Sequence, residues 1–215
     1  MRFEGTKVYN FEGALHGMRN PLASWKRTDS YYDETGNFVI GENDLDLATR
    51  LIRGGGEHRK FMRQIFVSVD ITAPLYWWKE FDTYKVGTVA NSTSTMHKLA
   101  STPISLECFE IDDFSADYQN VANIMIAECE KLRLRYLETK DKRIWKELIR
   151  WLPEGWLQTR TVTMNYENVY SIIRQRKDHK LNEWSGKDDP TKPNFIGWAR
   201  SLPYAEQMLF LGLDD

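Results

Sequence analysis

The chain reads as a mixed α/β domain, and three observations predict it. Ile65, Val67, Val69 and Ile71 alternate with Phe66, Ser68, Asp70 and Thr72, the period of two of a strand with one apolar face. Val121, Met125, Cys129, Leu132 and Tyr136 mark a long amphipathic helix, and Ile144, Leu148, Trp151 and Leu152 mark a second. The run from Gln158 to Thr163 is rich in Thr and Val and suits another strand.

The remaining elements follow in chain order. Residues 7–40 are polar and aromatic, with turn signals at Asn20-Pro21 and Glu34-Thr35-Gly36-Asn37. Residues 42–53 read as a helix that Gly54-Gly55-Gly56 stops. No Gly-Lys-Ser/Thr follows, so the glycines do not form a phosphate loop. The strand over 65–72 ends at Pro74, which suits the first turn of a helix. Trp77, Trp78 and Phe81 then recur at helical spacing, giving a helix over 74–84. Leu152-Pro153 stops the helix that holds Ile144 and Leu148. Asn165 suits an N-cap with Glu167 in the first turn, ahead of Val169, Ile172 and Ile173 on a helix ending near Lys180. Residues 184–194 form a loop with Gly186, Pro190 and Pro193. Phe195 to Phe210 is a last helical piece, interrupted at Pro203.

A length of 215 residues fits one domain, 1–215, able to bury a normal core. A net charge of −2 argues against a protein that wraps nucleic acid. No apolar run is long enough for a membrane span, and the first residues do not read as a signal peptide. Cys108 and Cys129 are the only cysteines, so a disulfide framework is excluded and a reducing, cytoplasmic setting is the expectation. No Cys/His set has metal-ligand spacing, and no G-x-S-x-G elbow occurs. Eight Trp and ten Tyr are many for this length, and either fill the core or line a site for a flat ligand.

Several side chains carry two readings each. Lys85 follows a helix and suits either a phosphate, as a point charge, or plain solvent. Arg176 lies one turn past Ile172 and Ile173 on the same face, where it either meets an anion or packs its stem and extends its head to water. His58 is a lone His after the glycine run, more often structural than catalytic. Thr88, Ser92, Thr93, Ser94 and Thr95 form a hydroxyl cluster that suits a phosphate or a turn.

Taken together, the layout resembles the flavin-dependent thymidylate synthases. That family has a His, a strand, an Ala-Pro helix start, an Arg-His-Arg triplet and a Ser seven residues on. Here His58, Ala73 and Pro74 fall in register without a gap, and Thr83, Tyr84 and Lys85 hold the triplet positions. The Ser reads as Thr93, or as Ser94 with one gap. Arg150-Trp151-Leu152-Pro153, Thr159-Arg160-Thr161, Asn165 and Ile172 through Arg176 follow the family's later order with one gap. The helix from Glu42 to Ile52 resembles the one before the family's His. The likeness spans residues 40–184, with residues 184–194 as an insertion. Asn91 and Thr95 stand where the family has Glu and Arg, and neither is an equivalent.

The resemblance implies a central, mostly antiparallel sheet with long helices, assembled as a homotetramer with flavin sites between subunits. It implies that His58, Thr83, Tyr84, Lys85 and Asn165 lie at FAD, although Asn165 equally suits a helix cap alone. Thr93, Ser94, Arg150 and Arg176 would bind a uridine nucleotide, with Arg176 also the catalytic position. The most concrete reaction is methylation of dUMP to dTMP, with a folate as carbon donor and NADPH as reductant. Two alternatives stand: a nucleotide-binding or regulatory protein that kept the fold without the activity, and a flavoenzyme acting on another nucleotide. The altered triplet favours the first of these.

Overall fold

A computed structural model describes residues 1–111 and 115–213, with backbone only at 116 and 117. Its elements are β1 (Arg2–Tyr9), α1 (Phe11–Arg19), β2 (Tyr31–Tyr32), β3 (Phe38–Val39), α2 (Glu42–Arg53), β4 (Phe66–Pro74), α3 (Leu75–Phe81), β5 (Val89–Ser92), α4 (Thr95–Lys98), α5 (Ala116–Thr139), α6 (Lys142–Trp151), β6 (Leu157–Asn165), α7 (Tyr166–Arg176), α8 (Asn182–Ser185), α9 (Phe195–Arg200) and α10 (Ala205–Met208). The main sheet is antiparallel, with strand order β1-β4-β6-β5; β2 and β3 form a separate hairpin. The contacts fall into two compact units. The first holds Met1–Arg2, Ile71–Thr83 and Asn91–Thr161; the second holds Phe3–Asp70, Tyr84–Ala90 and Val162–Asp215.

β4 follows its sequence pattern as far as Ile71 and departs from it at Thr72, which is buried like Ile71, Ala73 and Pro74, its hydroxyl paired with that of Thr159 at 2.7 Å. Val67, Val69 and Ile71 are sealed, and Phe66 and Asp70 point to solvent. Pro74 is the last strand residue and caps α3 with extended backbone instead of starting the helix. A proline has no side-chain acceptor to offer the first helical N–H groups. Backbone carbonyls supply it: Leu75 N–H donates to Trp156 and Tyr76 N–H to Glu154. α3 then ends at Phe81, short of the 84 read from its pattern.

In the first unit α5 packs on α6. Leu99, Ile104, Phe109, Ile126, Cys129 and Leu148 form its core. The buried stripe of α5 runs Ile126, Cys129, Arg133, and so includes a charge. Glu130, half-buried, takes two hydrogen bonds from Arg133 and one from the Ile104 N–H, which lets the Arg133 charge leave water. Val121 and Trp151, expected on the buried faces, are exposed: Val121 lies off that stripe, and Trp151 is the last residue of α6, beyond Ile144 and Leu148. Trp77, Trp78 and Phe81 pack ring on ring, and Trp78 Nε1 donates to the Gln158 carbonyl at 2.9 Å.

In the second unit α7 buries Val169, Ile172 and Ile173. Its first residue, Tyr166, is sealed and donates its hydroxyl to the Pro203 carbonyl at 2.7 Å. Arg174 stacks on the Tyr170 ring and donates to the carbonyls of Leu209 and Leu211, fastening the last described residues to α7. α7 stops at Arg176, before the Lys180 expected. The segment read as a loop over 184–194 begins inside the short helix α8. Asn182 Oδ1 accepts the Asp188 and Asp189 N–H groups, and Asn194 Oδ1 caps α9. Side-chain acceptors thus replace the missing ladder.

Candidate functional site

The richest convergence of expected side chains lies in the second unit, where the C-terminal turn of α7 meets the segment after α3. Arg176 Nε donates to the Tyr84 hydroxyl at 2.7 Å, and that hydroxyl donates to Gln175 Oε1 at 3.3 Å. The Arg176 guanidinium lies 5.5 Å from the Tyr84 ring centre and 5.0 Å from that of Trp184. Two aromatic faces attract a cation by their quadrupoles. Trp184 is sealed and passes the packing on to Phe195, Trp198 and Phe3. Arg176 is half-buried, so its head is held rather than extended into water.

The other end of α7 grips the same segment. Asn165 is the N-cap: its Oδ1 accepts the Asn168 N–H at 2.9 Å, and Asn168 Oδ1 accepts the Asn165 N–H at 3.3 Å. This is a capping box with Asn in both roles. Asn168 Nδ2 then donates to the Val86 carbonyl at 2.7 Å. Gly87, at φ 72°, lies against both asparagines. Asn165 therefore does cap a helix, and that box also fixes the segment that carries Tyr84 and Lys85.

Within this segment Lys85 is exposed, and the Thr88 hydroxyl oxygen is shielded from solvent with no hydrogen-bond partner. A shielded hydroxyl without a partner is costly unless something else completes it.

The remaining candidates are placed as follows. Thr83 donates its hydroxyl to the Glu80 carbonyl at 2.7 Å and closes α3. It belongs to the first unit, whereas Tyr84 opens a stretch of the second. Thr93 gives its N–H and its hydroxyl to the Thr159 carbonyl, so its proton is committed. Ser94 caps α4 by accepting the His97 N–H at 3.2 Å, and its own proton is still a donor. Arg150 is exposed on α6, in the first unit, and Arg176 belongs to the second. His58 is exposed at the start of a 3-10 turn, its ring against Gly54. With Glu57, Lys60, Arg63, Phe61 and Leu51 it lines a cleft of about 840 Å³ in the second unit.

The structure also assigns Arg160, which the sequence order had matched without a role. Its guanidinium covers the Trp78 ring at 4.2 Å and donates to Asp82 at 2.7 Å and Gln158 at 3.0 Å. Asn168, Gln175 and Trp184 escaped sequence reading. Only the Asn165/Asn168 spacing carried a signal, since a cap at i and an amide at i+3 make a reciprocal pair. Among the described residues no group of His, Cys, Asp or Glu could hold a metal ion, and no helix is long and apolar enough to cross a membrane.

No protein-family profile matches the chain, and no curated protein matches it. Solved structures do. One is the flavin-dependent thymidylate synthase ThyX from Helicobacter pylori complexed with FAD and dUMP, with a TM-score of 0.68 and 15% identity over 98% of each chain. Another structure of Helicobacter pylori thymidylate synthase X with FAD and dUMP has a TM-score of 0.71 and 16% identity over 99% of each chain. At this identity the likeness is one of fold, and it extends from end to end: the chain has the fold of the flavin-dependent thymidylate synthases.

Proposed function

We propose that the protein binds FAD and a uridine nucleotide, with dUMP as the nucleotide and its methylation to dTMP as the reaction the fold serves. The observation that carries this reading is Arg176, half-buried and fixed by Tyr84, in a fold whose solved representatives were crystallised with FAD and dUMP. A guanidinium held in place suits the phosphate or the polar edge of a pyrimidine. Lys85 and the Thr88 hydroxyl would hold the flavin's phosphates, and the bound flavin would supply hydride chemistry that no side chain can. Ser94 keeps one donor for the nucleotide, and Arg150 would complete the phosphate contacts. His58 would lie beside the ring system at its cleft. A folate and NADPH would serve as carbon donor and reductant in a cytoplasmic homotetramer.

A second reading is favoured by one observation. Thr83 spends its hydroxyl on Glu80, and Tyr84 spends its own on Gln175, so two triplet positions carry no cation toward a ligand. On that reading the chain keeps the nucleotide site and has lost the methylase step.

The visible spectrum tests the proposal. Protein mixed with FAD and passed over a size-exclusion column should retain the flavin absorption bands, and Lys85→Ala should retain less. Complete separation of flavin from protein would remove FAD from the account.

A further inference from the structure

We infer that Glu167 is a positioning residue: by holding Arg59 and Arg63 it fixes the turn that presents His58 to the cleft of about 840 Å³. The inference rests on the reading that this cleft takes the flavin ring system, and adds to it a carboxylate that acts through His58.

Arg59 and Arg63 both lie on the 3-10 turn over Arg59–Gln64, and His58 is its N-cap. Phe61 and Met62, between the two arginines, are sealed. The inner side of the turn is thus packed. Its outer side carries Lys60 and Arg63, which with His58 are exposed and line the cleft. A 3-10 turn has poor hydrogen-bond geometry and does little to fix itself. Glu167, in the first turn of α7, supplies the restraint. It accepts from Arg63 Nε and, at 3.4 Å, from Arg63 Nη2. Arg59 Nε lies 3.3 Å from Glu167 Oε1, a charge contact without hydrogen-bond alignment. The neighbouring Tyr166 N–H donates to the Ile65 carbonyl at 2.9 Å and joins α7 to the far end of the same turn.

The charge of Glu167 matters because cations crowd this place. The Arg59 guanidinium lies 4.6 Å from the Tyr170 ring centre, and that of Arg174 lies 3.2 Å from the same centre. Burial, and then the Arg59 charge, push Arg174 below the usual Arg value. Two guanidinium groups on one ring repel, and the Glu167 carboxylate offsets that repulsion at Arg59. Arg59 and Glu167 are both half-buried, so water screens their contact less than it would a surface pair. On its other side His58 packs its ring on Gly54, where an added Cβ would stand 3.2 Å away. The imidazole is confined by Gly54 on one side and by the tie to Glu167 on the other. A group already confined loses less freedom when a flat ring binds beside it.

Glu167→Gln keeps the shape of the side chain and removes its charge. In the unliganded protein the His58 ring signal, read by NMR, should shift and broaden in Glu167→Gln, while those of His16, His97 and His179 stay in place. A general loosening of the fold would move all four. Arg63→Gln breaks the same tie at an exposed side chain, and should move the His58 signal in the same way. Glu167→Gln should weaken FAD binding about fivefold by calorimetry, and by less than about twofold in a His58→Ala background, because the carboxylate acts through that ring. A His58 signal unmoved in both variants, four histidine signals that move together, or equal losses of FAD affinity in the two backgrounds would overturn the positioning role while leaving the flavin reading standing. No FAD binding by the wild type would overturn the flavin reading and this use of Glu167 with it.

Discussion

Gly87 passes so close to Asn165 that a methyl group at position 87 would stand 2.8 Å from the Asn165 amide nitrogen, and 3.0 Å from Asn168 Oδ1. Its φ of 72° is one that other residues adopt at a cost. Gly87→Ala would meet both penalties, and moving the amide would break the cap of α7. We predict a loss of about 1–3 kcal/mol, seen as a lower urea midpoint at unchanged slope. Gly36 supplies the control. Its φ is 81° with open space around it, so Gly36→Ala meets the backbone penalty alone. Equal losses at the two positions would mean that the asparagine box does not confine the segment.

Asp44 is the second place where one substitution is decisive. Its carboxylate is sealed and accepts from Arg19 Nε at 2.5 Å, Ser30 Oγ at 2.6 Å and the Ser30 N–H at 3.2 Å. Burial pushes the carboxyl up, and the hydrogen bonds from Ser30 and Arg19 with the Arg19 charge outweigh it, so the group lies below the usual Asp value. A depressed folded value means stability that is full above the unfolded value of about 3.9 and is lost as pH falls through the folded one. Asp44→Asn should cost about 3–5 kcal/mol at pH 7, since Arg19 would be left buried and unpaired. The gap between wild type and variant, measured in urea, should shrink below about pH 4. A gap that stays constant down to pH 3 would contradict this account.

The long helix α5 leads to a prediction about assembly. Tyr118, Val121 and Ile124 are exposed on its first turns, and Leu134 and Leu137 near its end. Apolar side chains repeated along an exposed helix mark a contact surface. We predict a homo-oligomer, a tetramer in the account given above. Light scattering that returns the 25.3 kDa of one chain at micromolar concentration would refute it.

Much of this arrangement was legible from residue patterns. β4 declared itself because Val67, Val69 and Ile71 face a core and Asp70 does not. α2 kept its expected bounds, since apolar spacing and the following glycines agree. β1 was not legible. All but two of its side chains are exposed, so it has no alternation to read. α1 hides behind Asn10 at φ 68°, and Gly13 and Gly17 interrupt its helical signal. Buried charges such as Arg133, Arg19 and Asp44 look like surface residues until their partners are known. Tyr84 and Arg176 lie ninety-two residues apart, and no local pattern could join them.

The altered triplet yields a prediction about turnover. Thr83 and Tyr84 bring no positive charge, and Lys85 binds a phosphate as a point charge without a fork. Thr95 likewise lacks the charge of an Arg, while His97 and Lys98 close by offset part of the loss. We predict that the chain, expressed in a bacterium lacking its own thymidylate synthase, leaves growth dependent on thymidine. Robust growth without thymidine would refute the loss of activity and restore the full methylase reading.

The most direct measurement of the central claim is a calorimetric titration of dUMP into the purified protein, with deoxyuridine as the control that lacks the phosphate. The account predicts saturable binding of dUMP, much weaker binding of deoxyuridine, and a loss of about 1.5–3 kcal/mol in Arg176→Ala, the range for a charged hydrogen bond. Equal dUMP affinity in wild type and Arg176→Ala, or no binding by either, would contradict it.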